Sequence, residues 1–179
     1  MERDIERILI DERQISEKIQ ELGKIISNDY RDKNLLMISV LKGSVCVMAD
    51  LMRVITIPCQ IDFMAVSSYG AGTKTSGTVR IIKDLDLDLK DYDVLIVEDI
   101  LDSGMTLQYL VQILKERKPA SIKLCAMFDK PDRRKVDIKA DYRGFVVPDE
   151  FLVGYGLDYA EKYRNLPYVG ILKREVYES

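Results

Sequence analysis

The chain has 179 residues, of which 47% are hydrophobic, and these values fit one domain with a full core. Its 27 basic and 30 acidic residues argue against the broad basic surface of a general nucleic-acid or acidic-membrane binder. The sequence contains no histidine, which excludes a Ser-His-Asp triad and a His-ligated zinc site. Three separated cysteines, a charged N-terminus and the lack of an 18-residue apolar segment predict a cytoplasmic protein with reduced thiols and no membrane partner.

Helical and strand patterns alternate along the chain. Asp11 and Gln14 form a helix-start signature, and apolar residues then recur at three- and four-residue spacing for about five turns. The other predicted helices are 45–55 and 107–118. Continuous or alternating apolar runs predict strands at 35–41, 61–66, 79–82, 94–97, 122–128, 145–147, 151–153 and 168–172. This order predicts an α/β fold with a mostly parallel central sheet and helices on both faces.

Two polar segments interrupt this pattern. Residues 67–78 are rich in Gly, Ser and Thr and too long for a tight turn, so we predict a mobile lid loop within a single domain, 1–179. Residues 84–93 carry regularly spaced aspartates. Because this segment lacks the glycine and terminal glutamate of an EF-hand, a solvated connection is favoured over a metal site.

The segment VLIVEDILDSGMT, residues 94–106, places acids and small polar residues after a buried strand. We predict that Glu98 and Asp99 lie one and two residues beyond that strand, where ligands bind in open α/β sheets. The turn 103–106 offers backbone N–H groups and hydroxyls to a phosphate. Because it lacks the lysine and the glycine spacing of a nucleoside-triphosphate loop, we predict that the phosphate is a simple monoester. Glu98 and Asp99 are suited to accept hydrogen bonds from ribose hydroxyls, directly or through magnesium-bound water. The alternative interpretation is that such acids only cap the next helix.

This segment resembles the 5-phosphoribosyl-1-pyrophosphate (PRPP) motif of type I phosphoribosyltransferases. Residues 8–173 resemble the hypoxanthine-guanine phosphoribosyltransferases. The segments that carry this resemblance are 41–43, 67–70, 129–131 and the run FVVPDEFLVGYGLDYAEKYRNL at 145–166. The resemblance implies the type I phosphoribosyltransferase fold, with a small hood formed by the terminal segments. It also implies transfer of the 5-phosphoribosyl group from PRPP to N9 of hypoxanthine or guanine, Mg²⁺ as cofactor, no nucleic-acid partner, and a homodimer or homotetramer.

The same resemblance assigns the PRPP-binding residues. Glu98 and Asp99 would bind the ribose hydroxyls and, with Asp158, would be the magnesium ligands. Lys42 and Gly43 would bind pyrophosphate together with Arg164. Taken alone, such a lysine or arginine is an ordinary turn or surface charge. The 5-phosphate would be cradled by Ser103, Gly104, Met105 and Thr106.

The purine-binding residues are assigned in the same way. Lys130 would donate to the exocyclic O6, Phe151 would stack on the ring, and Leu152 would offer backbone groups to its edge. Asp102 would lie near N7 as general acid or base. Phe151 alone would otherwise be read as a core residue.

Three further residues are assigned by the resemblance with a supporting role. Ser68 and Tyr69 would belong to the closing loop, and Arg134 would shape the Lys42 loop and a subunit contact.

Two other functions remain open on the sequence. A xanthine-preferring phosphoribosyltransferase would share the PRPP motif and differ only in the purine pocket. A PRPP-sensing RNA-binding regulator would keep the fold, but it would need a basic face, which the near-balanced charge does not favour.

Overall fold

The computed structural model describes residues 1–68 and 79–178. Its helices are α1 Glu12–Asp29, α2 Val45–Val54, α3 Met105–Glu116 and α4 Arg174–Tyr177. Its strands are β1 Ile5–Ile10, β2 Leu35–Leu41, β3 Cys59–Ser68, β4 Val79–Lys83, β5 Asp93–Leu101, β6 Ser121–Asp129, β7 Tyr142–Val146, β8 Leu152–Val153 and β9 Val169–Leu172. Single 3₁₀ turns occupy Glu2–Asp4 and Pro131–Arg133. No helix in the described ranges has both the length and the apolar character needed to cross a membrane.

The central sheet has the strand order β4-β3-β2-β5-β6-β7. All neighbouring strands in it are parallel except β4, which pairs antiparallel with β3 at one edge. Strand β3, which follows β2 in the chain, lies on one side of β2, whereas β5 lies on its other side and is followed by β6. The strand order therefore reverses between β2 and β5, and a crevice opens outside the carboxyl ends of these two strands.

Alternate side chains of the central strands enter two different cores. Met37 and Leu95 pack with α1 and α2 on one face, whereas Ile38 and Ile96 pack with α3 on the other. Because both faces are covered, these strands consist of continuous apolar runs and do not alternate with polar residues. The predicted parallel sheet with helices on both faces is confirmed.

The terminal segments form a separate antiparallel sheet with the order β1-β9-β8. This sheet is the hood that the resemblance implied. Strand β1 was not predicted from the sequence, because its charged residues Glu6 and Arg7 are exposed and interrupt the apolar pattern. Its strand partner β9 comes from the other end of the chain, as in the pairing of Ile5 with Leu172.

Two of the predicted boundaries that differ from the structure lie at the site. Strand β5 does not end at residue 97 but continues to Leu101, because its ladder with β6 persists through Glu98 opposite Ala126. Glu98 and Asp99 therefore lie inside the strand and not beyond it. Likewise, Ser67 and Ser68, the first two residues of the predicted lid, belong to β3 and pair with Arg80 and Val79 of β4. The rest of the predicted lid, 69–78, lies outside the described residues.

We expect the two-sided core to make Met37→Ala strongly destabilising. Met37 is fully buried in β2, whereas Ile82 of β4 is 67% exposed and provides a matched control. Truncating Met37 leaves a cavity and should lower the free energy of unfolding by about 2–5 kcal/mol, measured by urea denaturation. Ile82→Ala should change it by less than about 0.5 kcal/mol. Equal effects of the two substitutions would contradict this description of the core.

Candidate active site

Two adjoining clefts open at the carboxyl ends of the central strands. One has a volume of about 190 Å³ and lies between the ends of β2 and β5 and the start of α3. The other has a volume of about 570 Å³ and lies between the ends of β5 and β6 and the hood. Asp99, Ile100 and Asp102 line both clefts. Ligands held in the two clefts would therefore meet at this shared wall.

The smaller cleft contains the N-terminus of α3. Gly104 caps this helix with φ +77°, a left-handed conformation that glycine adopts without strain. A Cβ atom there would also lie 2.5 Å from Cγ2 of Ile138. Gly104 and Thr106 line the cleft, so the first backbone N–H groups of the twelve-residue helix lie beside it. Such a helix start suits an anion such as a phosphate.

Two glycines allow three chain segments to meet beside this cleft. A Cβ atom on Gly43 would lie 1.8 Å from Oδ2 of Asp99, and one on Gly156 would lie 2.0 Å from the carbonyl oxygen of Gly43. The turn after β2, the end of β5 and the segment after β8 are thus in direct contact. The peptide bond between Leu41 and Lys42 is cis.

The two acids inside β5 have raised pKa values. Burial is the largest cause for both: it raises the pKa of Asp99 to about 6, and it raises the pKa of Glu98 well above its usual range. The neighbouring charge of Asp99 contributes further to the shift of Glu98. Asp99 Oδ1 also accepts a hydrogen bond from the N–H of Ile100 at 2.6 Å. A cation or a hydrogen-bond donor entering the cleft would therefore stabilise the ionised forms of Glu98 and Asp99.

An arginine and a lysine flank these acids. Arg164 donates from Nη1 to the carbonyl oxygen of Gly156 at 2.7 Å, and its Nη2 lies 3.0 Å from Oδ1 of Asp158 and 3.3 Å from Oε1 of Glu161. Its buried Nε has no hydrogen-bond partner among the described residues. Lys42 Nζ lies 2.9 Å from Oε2 of Glu161. Cationic side chains therefore reach the rim of the cleft from two distant segments.

The larger cleft combines a buried lysine with an aromatic cluster. Lys130 is only 8% exposed, and burial lowers the pKa of its ammonium group. Its Nζ donates to the carbonyl oxygen of Glu150 at 2.8 Å. The ring of Phe151 stacks on Tyr177 of α4 at 4.8 Å between centroids and meets Tyr159 edge-on at 5.5 Å. The cleft thus offers a fixed donor and an aromatic wall to a planar ligand.

Residues 8–160, which include most of both clefts, match the family described as a phosphoribosyl transferase domain. The chain belongs to this family. It is 56% identical over 179 residues to hypoxanthine-guanine phosphoribosyltransferase of Bacillus subtilis (strain 168), covering 100% of this chain and 99% of that protein. The crystal structure of a hypoxanthine phosphoribosyltransferase from Staphylococcus aureus matches with a TM-score of 0.97 and 49% identity, covering 100% of this chain and 97% of that one.

Most residues predicted to act in this phosphoribosyl transferase lie at the two clefts. Gly43, Glu98, Gly104 and Thr106 line the smaller one. Residues from the prediction that line the larger one are Lys130, Phe151, Leu152 and Asp158, and the shared wall adds Asp99 and Asp102. Three other predicted residues are chain neighbours of residues that line the smaller cleft, namely Lys42, Ser103 and Met105. Arg164 contacts Asp158, which lines the larger cleft. Ser68 ends β3, and Tyr69 lies outside the described residues.

The magnesium prediction is supported by the type of ligand but not by a preformed cluster. In the described part of the chain, no three acidic or cysteine side chains are grouped so that they could hold a metal. Glu98 and Asp99 are nevertheless desolvated carboxylates, and Asp158 lines the neighbouring cleft. Mg²⁺ is commonly bound by one or two carboxylates together with phosphate oxygens of a substrate, so these residues fit such an ion.

Arg134 supports a different loop from the one expected. Its Nε donates to the carbonyl oxygen of Asp102 at 2.9 Å, and Nη2 donates to that of Leu101 at 3.3 Å. Nη2 also pairs with the buried carboxylate of Asp129. The guanidinium thus fastens the turn after β5 to the end of β6, whereas we expected it at the Lys42 loop.

Several residues of the larger cleft were not predicted. Arg133 and Asp149 both line it and form an ion pair at 2.6 Å. The C-terminal helix α4 contributes Arg174 and Tyr177. A four-residue helix carries no periodic signal, so the sequence offered no means of finding them. The ion pair joins residues 16 positions apart, which no local pattern indicates.

Asp99→Asn should stabilise the ligand-free protein. A carboxyl whose folded pKa is raised to about 6 destabilises the fold progressively as pH rises from about 4 to 6, and by a constant amount above that. The amide oxygen can still accept from the N–H of Ile100. We expect the free energy of unfolding to rise by about 1–3 kcal/mol at pH 8 and by less at pH 4.5, measured by urea denaturation.

The exposed Asp132 provides the control for this prediction. Asp132→Asn should leave stability nearly unchanged at both pH values. A stability gain in Asp99→Asn that does not vary with pH would contradict the assignment of a raised pKa to Asp99.

Proposed function

We propose that this phosphoribosyl transferase acts in purine salvage, moving the 5-phosphoribosyl group from PRPP to N9 of hypoxanthine or guanine and releasing pyrophosphate. The observation that carries the proposal is the pair of clefts joined at Asp99, Ile100 and Asp102. A sugar phosphate in the smaller cleft and a flat base in the larger one would meet at that wall. The full-length similarity to hypoxanthine-guanine phosphoribosyltransferases supports this choice of base.

The smaller cleft would bind the ribose 5-phosphate. Ser103, Gly104, Met105 and Thr106 lie at the start of α3, where backbone N–H groups and hydroxyls suit the phosphate. Glu98 and Asp99 would accept hydrogen bonds from the ribose hydroxyls. As the bond to pyrophosphate breaks, positive charge develops on the sugar, and carboxylates held nearby would stabilise it.

Pyrophosphate would leave along the side where Lys42, Gly43 and Arg164 meet. The side chains of Lys42 and Arg164 both contact Glu161, so their positive charges lie near each other. When bound with Glu98, Asp99 or Asp158, Mg²⁺ would neutralise charge on the phosphate oxygens. The residues themselves would orient the leaving group, since Arg164 is already held by the carbonyl oxygen of Gly156.

The larger cleft would recognise a 6-oxopurine. Lys130 would donate to O6, which accepts a hydrogen bond, whereas the 6-amino group of adenine would meet it as a second donor. Phe151 would stack on the purine, and Leu152 would present backbone groups to its edge. Asp102 is exposed at the junction of the clefts and would exchange a proton with N7. Ser68 and Tyr69 would belong to the segment that excludes water during the reaction.

We also propose that the protein is a cytoplasmic homodimer or homotetramer. Cys46, Cys59 and Cys125 are all unpaired, as is usual in a reducing compartment. Val45 and Met52 are exposed apolar residues on α2, which contact with another subunit would cover. Light scattering in solution should then give the mass of two or four chains.

A pyrophosphate-release assay tests the proposed reaction. PRPP and Mg²⁺ are supplied with hypoxanthine, guanine, xanthine, adenine or uracil in parallel. We expect turnover with hypoxanthine and guanine and little with adenine, because Lys130 selects an O6 acceptor. Xanthine also carries O6, so its turnover tests the remainder of the purine pocket. Dominant use of xanthine would favour the xanthine-preferring alternative. PRPP binding without turnover of any base would favour a sensing role.

Asp102→Asn should lower kcat about 100-fold while changing the dissociation constant of PRPP less than about threefold. The substitution removes the proton acceptor but leaves the N–H groups of the α3 N-terminus in place. Steady-state kinetics with hypoxanthine and equilibrium binding of PRPP measure the two effects. Asp132→Asn, an exposed acid outside both clefts, is the control. An unchanged kcat in Asp102→Asn would remove its role as acid or base.

A further inference from the structure

Glu161 bridges the two cationic residues at the rim of the smaller cleft. Its Oε2 lies 2.9 Å from Nζ of Lys42, and its Oε1 lies 3.3 Å from Nη2 of Arg164. Lys42 and Glu161 are 119 positions apart, so this contact depends on the tertiary fold. Each carboxylate oxygen thus occupies one of the two cations that the proposed reaction needs for pyrophosphate.

The backbone fixes the position of this carboxylate. Tyr159 and Lys162 exchange backbone hydrogen bonds at 3.2 and 3.0 Å around a two-residue turn. Ala160 and Glu161 at its centre have φ of +50° and +63°, as in a type I′ turn, which non-glycine residues seldom form. Asp158 Oδ2 also accepts from the N–H of Glu161 at 2.9 Å. The turn therefore presents Glu161 in one place despite the conformational cost.

The contacts of Glu161 are suited to displacement. The side chains of Lys42 and Glu161 are 67% and 64% exposed, and exposed ion pairs of this kind are weak. A glutamate is ionised at neutral pH, and the hydrogen bond from Lys42 is the main cause that lowers the pKa of Glu161 further below that range. Pyrophosphate carries more charge and more oxygens than one carboxylate, so it can replace Glu161 on both cations.

We propose that Glu161 is a built-in competitor of pyrophosphate, which pairs with Lys42 and Arg164 in the empty site and exchanges with the pyrophosphate group during turnover. The inference rests on the proposed function, because it takes Lys42 and Arg164 as pyrophosphate ligands. Before PRPP binds, Glu161 holds the two cations near their working positions. After transfer, its return to them hastens the departure of pyrophosphate.

Removing the competitor should tighten binding and slow release. We expect Glu161→Gln to lower the dissociation constant of magnesium pyrophosphate three- to tenfold, measured by titration calorimetry on the full chain. The dissociation rate of pyrophosphate, measured by stopped flow, should fall by a similar factor. Glu161→Ala should act in the same direction. A merely structural role would instead weaken binding, so the direction of the change is diagnostic.

Glu17 supplies the matched control. It is 64% exposed, like Glu161, and pairs with Arg13 at 2.8 Å, but it lies on α1 and lines neither cleft. Glu17→Gln should leave pyrophosphate binding unchanged. In a Lys42→Ala background, Glu161→Gln should tighten binding less than it does in the parent chain, because one of the two competing contacts is already absent.

The Lys42→Ala variant separates the two hypotheses. If it does not weaken pyrophosphate binding, the pyrophosphate site of the proposed function is wrong. If it weakens binding while Glu161→Gln has no effect or also weakens it, the site stands and the competitor role is overturned. Tighter binding in both Glu161 variants, with slower release and an unchanged Glu17→Gln control, would establish the role.

Discussion

The site depends on the close approach of a backbone turn to a carboxylate inside a strand. The space that a side chain at Gly43 would need is occupied by Oδ2 of Asp99. Gly156 in turn lies against the carbonyl oxygen of Gly43, so the turn after β2 is held between the end of β5 and the segment after β8. Arg164 is attached to this arrangement through its hydrogen bond to Gly156.

The position of that contact follows from the sheet. Strand order reverses between β2 and β5, so the turns that follow these strands depart in opposite directions and leave a crevice between them. Helix α3 begins at the same edge, directed by the left-handed Gly104. The hood then closes the far side of the larger cleft with Phe151 and Tyr177. The parallel sheet and the hood thus bring residues between Val40 and Glu178 to one place.

The charges of the site are arranged at a cost to stability. Glu98 and Asp99 are desolvated next to each other, and their raised pKa values express that cost. Ala160 and Glu161 both have positive φ, which is unfavourable for residues other than glycine. Elsewhere the central strands are apolar and covered on both faces, and the buried acids Asp62 and Asp129 are paired with Lys83 and Arg134. Such local costs concentrate at functional sites, where the surrounding fold offsets them.

The agreement between sequence and structure varies with the distance over which a feature is determined. Helix α1 was predictable because Asp11 and Gln14 form a capping box, which the structure contains. The end of β5 was misplaced because acidic residues favour a loop locally, whereas pairing with β6 extends the strand through them. Strand β1 was missed for the same reason: its partner β9 lies at the other end of the chain.

Local sequence patterns were enough to predict the α/β class, the order of the main elements and the segments that form the site, because periodicity and turn composition are local properties. The resemblance then supplied roles for individual residues. Three contacts became visible only once the chain was folded: Arg134 fastens the Asp102 turn, Tyr177 stacks on Phe151, and Glu161 joins Lys42 to Arg164. These contacts join residues between 3 and 119 positions apart, and the packing of the sheet and the hood selects them from many that the chain could make.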